Sequence, residues 1–279
     1  MKRALLAGFM TLVASSVQAA PIIFQGTAVT VAGIVPIRDD FRVALGGGVA
    51  AGANGSFGGL RREINWDGVP DALSAPNLLP GDFFNVNSPR GVIFSTPGIG
   101  FEVSANAVNP FSAPIDFGNV NPSNTSAFQP FSPQRMFTPI GSNITDVSFF
   151  VPGTNTPAVT SAFGAIFTDV DMAGSSLQFF DAFNNSLGIF AVPFLAGNET
   201  LEFLGVKFDS AIVGRVRIIS GNAALAAGVN DGGGTDLVVM DDFLYAEPAA
   251  VPEPASLLLF GGGALALGAR LRQRGRRPS

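Results

Sequence analysis

From residue 144 to residue 245 the chain alternates short apolar runs with Gly, Pro and Asn clusters, and this alternation limits the possible folds more than any other feature. Residues 146–151 (DVSFFV) stop at Pro152-Gly153, and residues 163–167 (FGAIF) lead into Thr168-Asp169-Val170-Asp171. Residues 177–180 end at Asp181, and Asn184-Asn185 supplies a hairpin turn before residues 187–192. Residues 200–203 and 205–208 follow, then residues 212–219, where Arg215 and Arg217 face one way and Val216 and Ile218 the other. Residues 237–240 run into Asp241-Asp242-Phe243-Leu244-Tyr245. Strands at a spacing of roughly 8–12 residues, each with one wet face, predict an all-β, antiparallel β-sandwich with long Gly/Pro/Asn-rich loops. No long helical pattern is expected between residues 20 and 251.

The region before residue 141 is less regular. It holds Gly46-Gly47-Gly48, a second glycine-rich stretch at residues 51–59, and a Pro-, Asn-, Ser- and Phe-rich segment at residues 106–139 that reads as long loops. The triple glycine lacks the Lys-Ser/Thr of a phosphate loop. The whole is read as one body over residues 20–248, with two subdomains meeting near residue 140 as the alternative. The strand pattern is similar to bacterial jelly-roll modules of the lectin or carbohydrate-binding kind. Those often close on a strand with an acidic pair, as Met240-Asp241-Asp242-Phe243 does here.

Composition narrows the chemistry. Hydrophobic residues make up 47 % of the chain, enough for a sizeable core, and charged residues only 13 %. There is no Cys and no His. Disulfides, thiolate metal sites, thiol catalysis, zinc hydrolysis and a Ser-His-Asp triad are therefore excluded. The formal net charge of −5 conceals an asymmetry: every acid lies between Asp39 and Glu253, whereas five of the sixteen basic residues fall in the last ten. An acidic body disfavours nucleic acid and anionic lipid and favours bound cations.

The two ends read as addresses. Lys2 and Arg3 precede an apolar run over residues 4–17, and Val17-Gln18-Ala19 offers a small-residue cleavage site, so residues 1–19 are expected to be a signal peptide taken by the Sec translocon and signal peptidase. The other end has three parts: Pro252-Glu253-Pro254, an apolar stretch at residues 255–269, and Arg270, Arg272, Arg274, Arg276 and Arg277. As a helix the apolar stretch would be ~22 Å long, short of a ~30 Å hydrocarbon core. The arginines would stop it on the cytoplasmic side. This tail, residues 251–279, resembles the PEP-CTERM sorting signal of Gram-negative bacteria in all three parts and in their order. The resemblance implies recognition by an exosortase through Pro252, Glu253 and Pro254, transient insertion in the inner membrane, and a host that makes extracellular polysaccharide.

Candidate site residues are carboxylates. Asp169 and Asp171, two apart, would project to the same face if extended. Asp231 and Asp236 bracket a Gly-rich, oxygen-rich loop, and Asp241 and Asp242 form the terminal pair. Some of these six are candidate ligands for Ca²⁺, which takes about six to eight oxygen ligands. The competing reading is that they cap turns by accepting backbone N–H groups. A second cluster joins Trp66 and Asp67 to Asn65 and Asp71. Trp66 could stack on a sugar, but a core anchor at a turn is the better expectation. Glu63 with Asp67 is the least poor pair for glycoside hydrolysis. The expectation is a non-enzymatic envelope or matrix protein associated with exopolysaccharide. A Ca²⁺-dependent carbohydrate-binding module is the alternative, and a glycoside hydrolase ranks third.

Overall fold

The computed structural model describes residues 19–48 and 51–251. The expected leader up to residue 18, the Pro252-Glu253-Pro254 element, the hydrophobic segment 255–269 and the terminal arginines lie outside the described residues.

Two antiparallel sheets face each other. The larger has eight strands, of which six run in the order β1 (Ile22–Ala28), β12 (Leu201–Lys207), β9 (Ala162–Thr168), β14 (Val239–Ala246), β3 (Arg61–Ile64) and β2 (Ser56–Phe57). Its other two strands are β6 (Phe137–Ile140), which bonds to β14, and β5 (Gly100–Val103), which bonds to β6. The smaller sheet runs β11 (Ser186–Ala191), β10 (Ser176–Phe180), β13 (Arg215–Ile219), β7 (Ile144–Phe149) and β4 (Val92–Ser95). A two-stranded ribbon pairs β8 (Ala158–Val159) with β15 (Ala249–Ala250), and the Val251 N–H donates to the Pro157 carbonyl just beyond it. Strands from before residue 140 are thus bonded into both sheets alongside strands from after it.

The sandwich forms because the alternating runs bury one face each. Phe163, Ala165 and Phe167 of β9, Leu204 and Val206 of β12, and Met240, Phe243 and Tyr245 of β14 point inward. They meet Val92 and Phe94 of β4, Val147 and Phe149 of β7, Leu177 and Phe179 of β10, and Val216 and Ile218 of β13. The run read from residue 200 on to residue 208 forms the single strand β12, without its two end residues, and 212–219 shortens to β13. Strand β14 is continuous through its acidic pair, but its register against β9 shifts between Met240 and Phe243, a β-bulge at Asp241 and Asp242.

The expectation of no long helix is corrected. Helix α1 spans Val31–Ala44 and covers the outer face of the larger sheet. Ile34, Phe41 and Leu45 pack there against Ala162, Ile166, Leu201, Phe203 and Leu244. The stripe follows helical spacing, but Gly33 and Pro36 inside it read as turn residues. Pro36 stands early in the helix, where it removes only the bond to the carbonyl of Ala32. The helix stops at Gly46 and Gly47, which take φ values of 106° and 68°, and the Gly47 N–H closes back on the Arg42 carbonyl at 2.9 Å. The outer face of β9 and β12 is therefore as dry as the inner one, and all seven residues of β9 are buried.

Phe41 sits in a slot that has no Cβ atoms. Gly164 and Gly205 are cross-strand partners. A Cβ on Gly205 would lie 2.7 Å from Phe41 Cδ2, and one on Gly164 would lie 2.9 Å from Phe41 Cε1.

Candidate metal centre

At one end of β9 the chain turns sharply into a cluster of acids. Asp169 follows the last residue of the strand and adopts a left-handed φ of 70°, which Asp tolerates better than most residues. The residues are therefore not extended, and Asp169 and Asp171 meet through this turn rather than through strand alternation. Their neighbours are fixed by backbone N–H groups. Asp169 N–H donates to the Thr200 carbonyl (3.0 Å), Val170 N–H to Glu202 Oε2 (3.2 Å) and Asp171 N–H to Asp236 Oδ1 (2.9 Å). Asp171 Oδ1 accepts from Gly197 N–H at 2.7 Å, and Asp231 Oδ1 from Leu237 N–H at 2.9 Å.

The loop carrying Asp231 and Asp236 is held independently. Gly232 and Thr235 exchange backbone bonds of 2.9 and 3.1 Å. Asp236 N–H donates to Asn222 Oδ1 while Asn222 Nδ2 donates to the Gly234 carbonyl, both at 2.9 Å. Gly232, Gly233 and Gly234 all have positive φ, so the loop requires glycine for its backbone path.

Carboxylate oxygens of Asp169, Asp171 and Asp231 lie within 4.8 Å of one another. Asp169 is 0 % exposed, and neither of its oxygens has a hydrogen-bond partner among the described residues. Glu202 and Asp236 are also 0 % exposed, and each keeps one oxygen, Oε1 and Oδ2, without a partner. Among the described residues no Arg or Lys forms an ion pair with any of the five. Burial, reinforced by the charges of Asp231, Asp171, Asp236 and Glu202, pushes the Asp169 carboxyl up to about 9. Burial likewise raises Glu202 to about 8, against the pull of the Thr200 hydroxyl and then the Val170 N–H, and Asp236 to about 6. Like charges this close, shut away from water, cannot all ionise alone. The cluster must hold protons or a cation. Its donors are all oxygens, and the chain has no Cys or His, so a hard cation fits and a thiolate- or imidazole-bound metal does not.

Of the six acids singled out in the sequence, the structure gathers Asp169, Asp171, Asp231 and Asp236. Asp241 and Asp242 are placed elsewhere by the β14 bulge. Asp241 accepts from Phe131 N–H (2.6 Å), Ser132 N–H and Ser132 Oγ (both 3.0 Å), so it caps a loop. Asp242 faces Arg38 of α1 at 3.8 Å. Glu202 was missed. Its signal was an acid on the inward-facing side of an apolar strand, in step with Leu204 and Val206.

The second cluster does not form a site. Trp66 is 0 % exposed, stacks on Phe137 at 4.1 Å and 5°, and meets Phe84 and Phe243 edge-on, so no ring face is left for a sugar. Asp67 Oδ1 accepts the Arg135 N–H (3.1 Å), and Asp71 pairs with the Arg135 guanidinium. Glu63 receives Arg42 Nε and Arg61 Nε, both at 2.8 Å, so its charge is spent on arginines rather than poised beside Asp67.

Comparison with known proteins bears on the tail. Residues 250–273 match the PEP-CTERM protein-sorting motif, a span that takes in Pro252, Glu253, Pro254, the apolar stretch, Arg270 and Arg272. No curated protein matches the chain. Among solved structures, the enzymatically active domain of bacteriophage CBA120 tailspike protein 4 is similar at 12 % identity over 54 % of this chain, with a TM-score of 0.18. The chain covers 21 % of that protein's length, and at that score the likeness carries no argument.

Proposed function

We propose that this protein, exported to the bacterial envelope and processed by an exosortase through its PEP-CTERM motif, is a non-enzymatic component of the cell surface or matrix that associates with extracellular polysaccharide. The observation that carries the reading is the sorting motif at residues 250–273, set behind an antiparallel sandwich that can stand alone without disulfides. In this reading the host is Gram-negative. Residues 1–19 leave with signal peptidase, and residues 255–269 pause in the inner membrane while Arg270, Arg272, Arg274, Arg276 and Arg277 stay cytoplasmic. The densest acids support a non-catalytic role, because Asp169 and Glu202 are sealed from solvent and cannot flank a glycosidic bond.

The test is fractionation in a polysaccharide-producing host that carries an exosortase. Wild-type protein should sediment with the polysaccharide and run shorter than the unprocessed chain. A variant with alanine at Pro252, Glu253 and Pro254 should stay full-length in the membrane fraction. Wild-type protein recovered free of polysaccharide, and equally so from a polysaccharide-deficient strain, would sink the association. A second reading, a cation-dependent carbohydrate-binding module, is favoured by the convergence of Asp169, Asp171 and Asp231. It requires that chelator release the protein from the polysaccharide.

A further inference from the structure

We propose that Asp169, Asp171, Asp231, Asp236 and Glu202 form a calcium site that cross-links three separate connections at one end of the sandwich. The proposal stands on the geometry of this cluster and is independent of whether the body contacts polysaccharide.

The acids alone would not make a site. The second observation is the state of Asp169: 0 % exposed, with both oxygens unpartnered, and within 4.8 Å of the oxygens of Asp171 and Asp231. A buried carboxylate is ordinarily satisfied by hydrogen bonds or by an opposite charge. The surrounding loops supply neither, although they are rich in N–H groups. Those N–H groups instead hold one oxygen of each neighbouring acid: Val170 on Glu202, Asp171 on Asp236, Gly197 on Asp171 and Leu237 on Asp231. The arrangement orients four carboxylates by their backs and leaves Asp169, Glu202 Oε1 and Asp236 Oδ2 with nothing to bind. A cation held by Asp169, Asp171 and Asp231 would satisfy the Asp169 oxygens and offset the nearby charges of Glu202 and Asp236, where protons alone would leave the remaining carboxylates uncompensated.

The donor set selects the ion. Oxygen-only ligation excludes the softer transition metals. Mg²⁺ demands a near-octahedral shell, keeps several waters and usually takes one or two carboxylates. Carboxylates drawn from a strand, a left-handed turn and a glycine-rich loop suit the larger, more permissive Ca²⁺. Bound there, the ion would join the end of β9, the start of β12 with the Gly197 loop before it, and the Asn222–Leu237 connection that feeds β14. These segments are far apart in sequence, and the chain has no cysteine with which to tie them.

The experiment uses the full chain in detergent micelles, stripped with chelator and then dialysed against ⁴⁵Ca²⁺, with thermal unfolding followed in parallel. One Ca²⁺ per chain should bind in the ~10⁻⁴–10⁻³ M range or tighter, as extracellular sites do. The midpoint should rise by several degrees once Ca²⁺ is in large excess, and Mg²⁺ should act at least about tenfold more weakly. Glu202→Gln and Asp169→Asn should each lower the calcium affinity at least about tenfold. Their calcium-free midpoint should stay level or rise, because each replaces a buried carboxyl that must take up a proton on folding with a neutral amide of the same shape. Asp181→Asn, in the exposed β10–β11 turn, should bind normally. No bound calcium at ~5 mM, or unchanged binding in the Asp169→Asn, Glu202→Gln double variant, would overturn the site. A variant that unfolds without calcium but recovers both fold and wild-type affinity on adding it would overturn it as well. Loss of calcium binding leaves the polysaccharide fractionation untouched, so the two readings fail separately.

Discussion

Asp116 is held at a disadvantage by its surroundings. It is 7 % exposed, sits at a left-handed φ of 52°, and is pushed up by burial, with a contribution from the charge of Glu199, from the ordinary 3.8 to about 6. A raised carboxyl binds its proton more tightly in the folded chain than in the unfolded one. Stability from this group is therefore lowest above about pH 6 and is regained as pH falls from about 6 towards 3.8. The penalty at neutral pH is on the order of 2–3 kcal/mol. Asn keeps the shape and tolerates the left-handed backbone. Asp116→Asn should then raise the thermal midpoint at pH 7.5 by several degrees and flatten the profile between pH 4 and 6. An unchanged midpoint at pH 7.5 would mean the carboxylate is already compensated. Such a residue was invisible in the sequence, where Asp116 was one polar residue in a long Pro- and Asn-rich segment. Asp169 and Asp171 were legible because they follow an apolar run. Glu202 was not, since a single acid within a strand is usually on the wet face.

The strands of the second half were readable because each alternates and ends in its own turn signal. Residues 177–180 and 187–192, joined by a turn that Asp181 caps through the Phe183 and Asn185 N–H groups, form a hairpin whose pairing is wholly local. The first half was harder for the opposite reason. β3 has four residues and pairs with β14, and β5 pairs with a β6 more than thirty residues away, so their signal lies in distant partners. Helix α1 was lost to its own Gly33 and Pro36, and its dependence on the sheet gives a test. Alanine at Gly205 places a methyl 2.7 Å from the Phe41 ring, where overpacking costs about 1–3 kcal/mol. Gly205→Ala should destabilise the protein by that amount and raise hydrogen exchange over Val31–Ala44 before the strands. Pairing it with Phe41→Leu should recover part of the loss. Equal exchange in helix and strands would show that α1 does not detach on its own.

As a whole, the molecule is a sheet buried on both sides, by the smaller sheet within and by α1 without. The acids that the fold gathers at one end differ from those that it spends on loops and arginines. Which Asp goes where was decided by a bulge and a left-handed turn, and neither is written in composition. The ribbon of β8 and β15 has a consequence for export. Ala249 and Ala250 are paired to the body and the Val251 N–H is bonded to Pro157, yet Pro252 comes next. No slack separates the globule from the residues an exosortase would read. Were those three residues extended they would reach only ~10 Å, so an exosortase reading them would act close against the surface of its cargo. It otherwise waits for a two-residue ribbon to peel. Maturation would then be a race between closure of that ribbon and capture of the tail, and this is testable. A six-residue Gly-Ser spacer inserted after Val251 should speed appearance of the shortened product in pulse-chase labelling. Identical kinetics would mean the ribbon opens faster than the enzyme arrives.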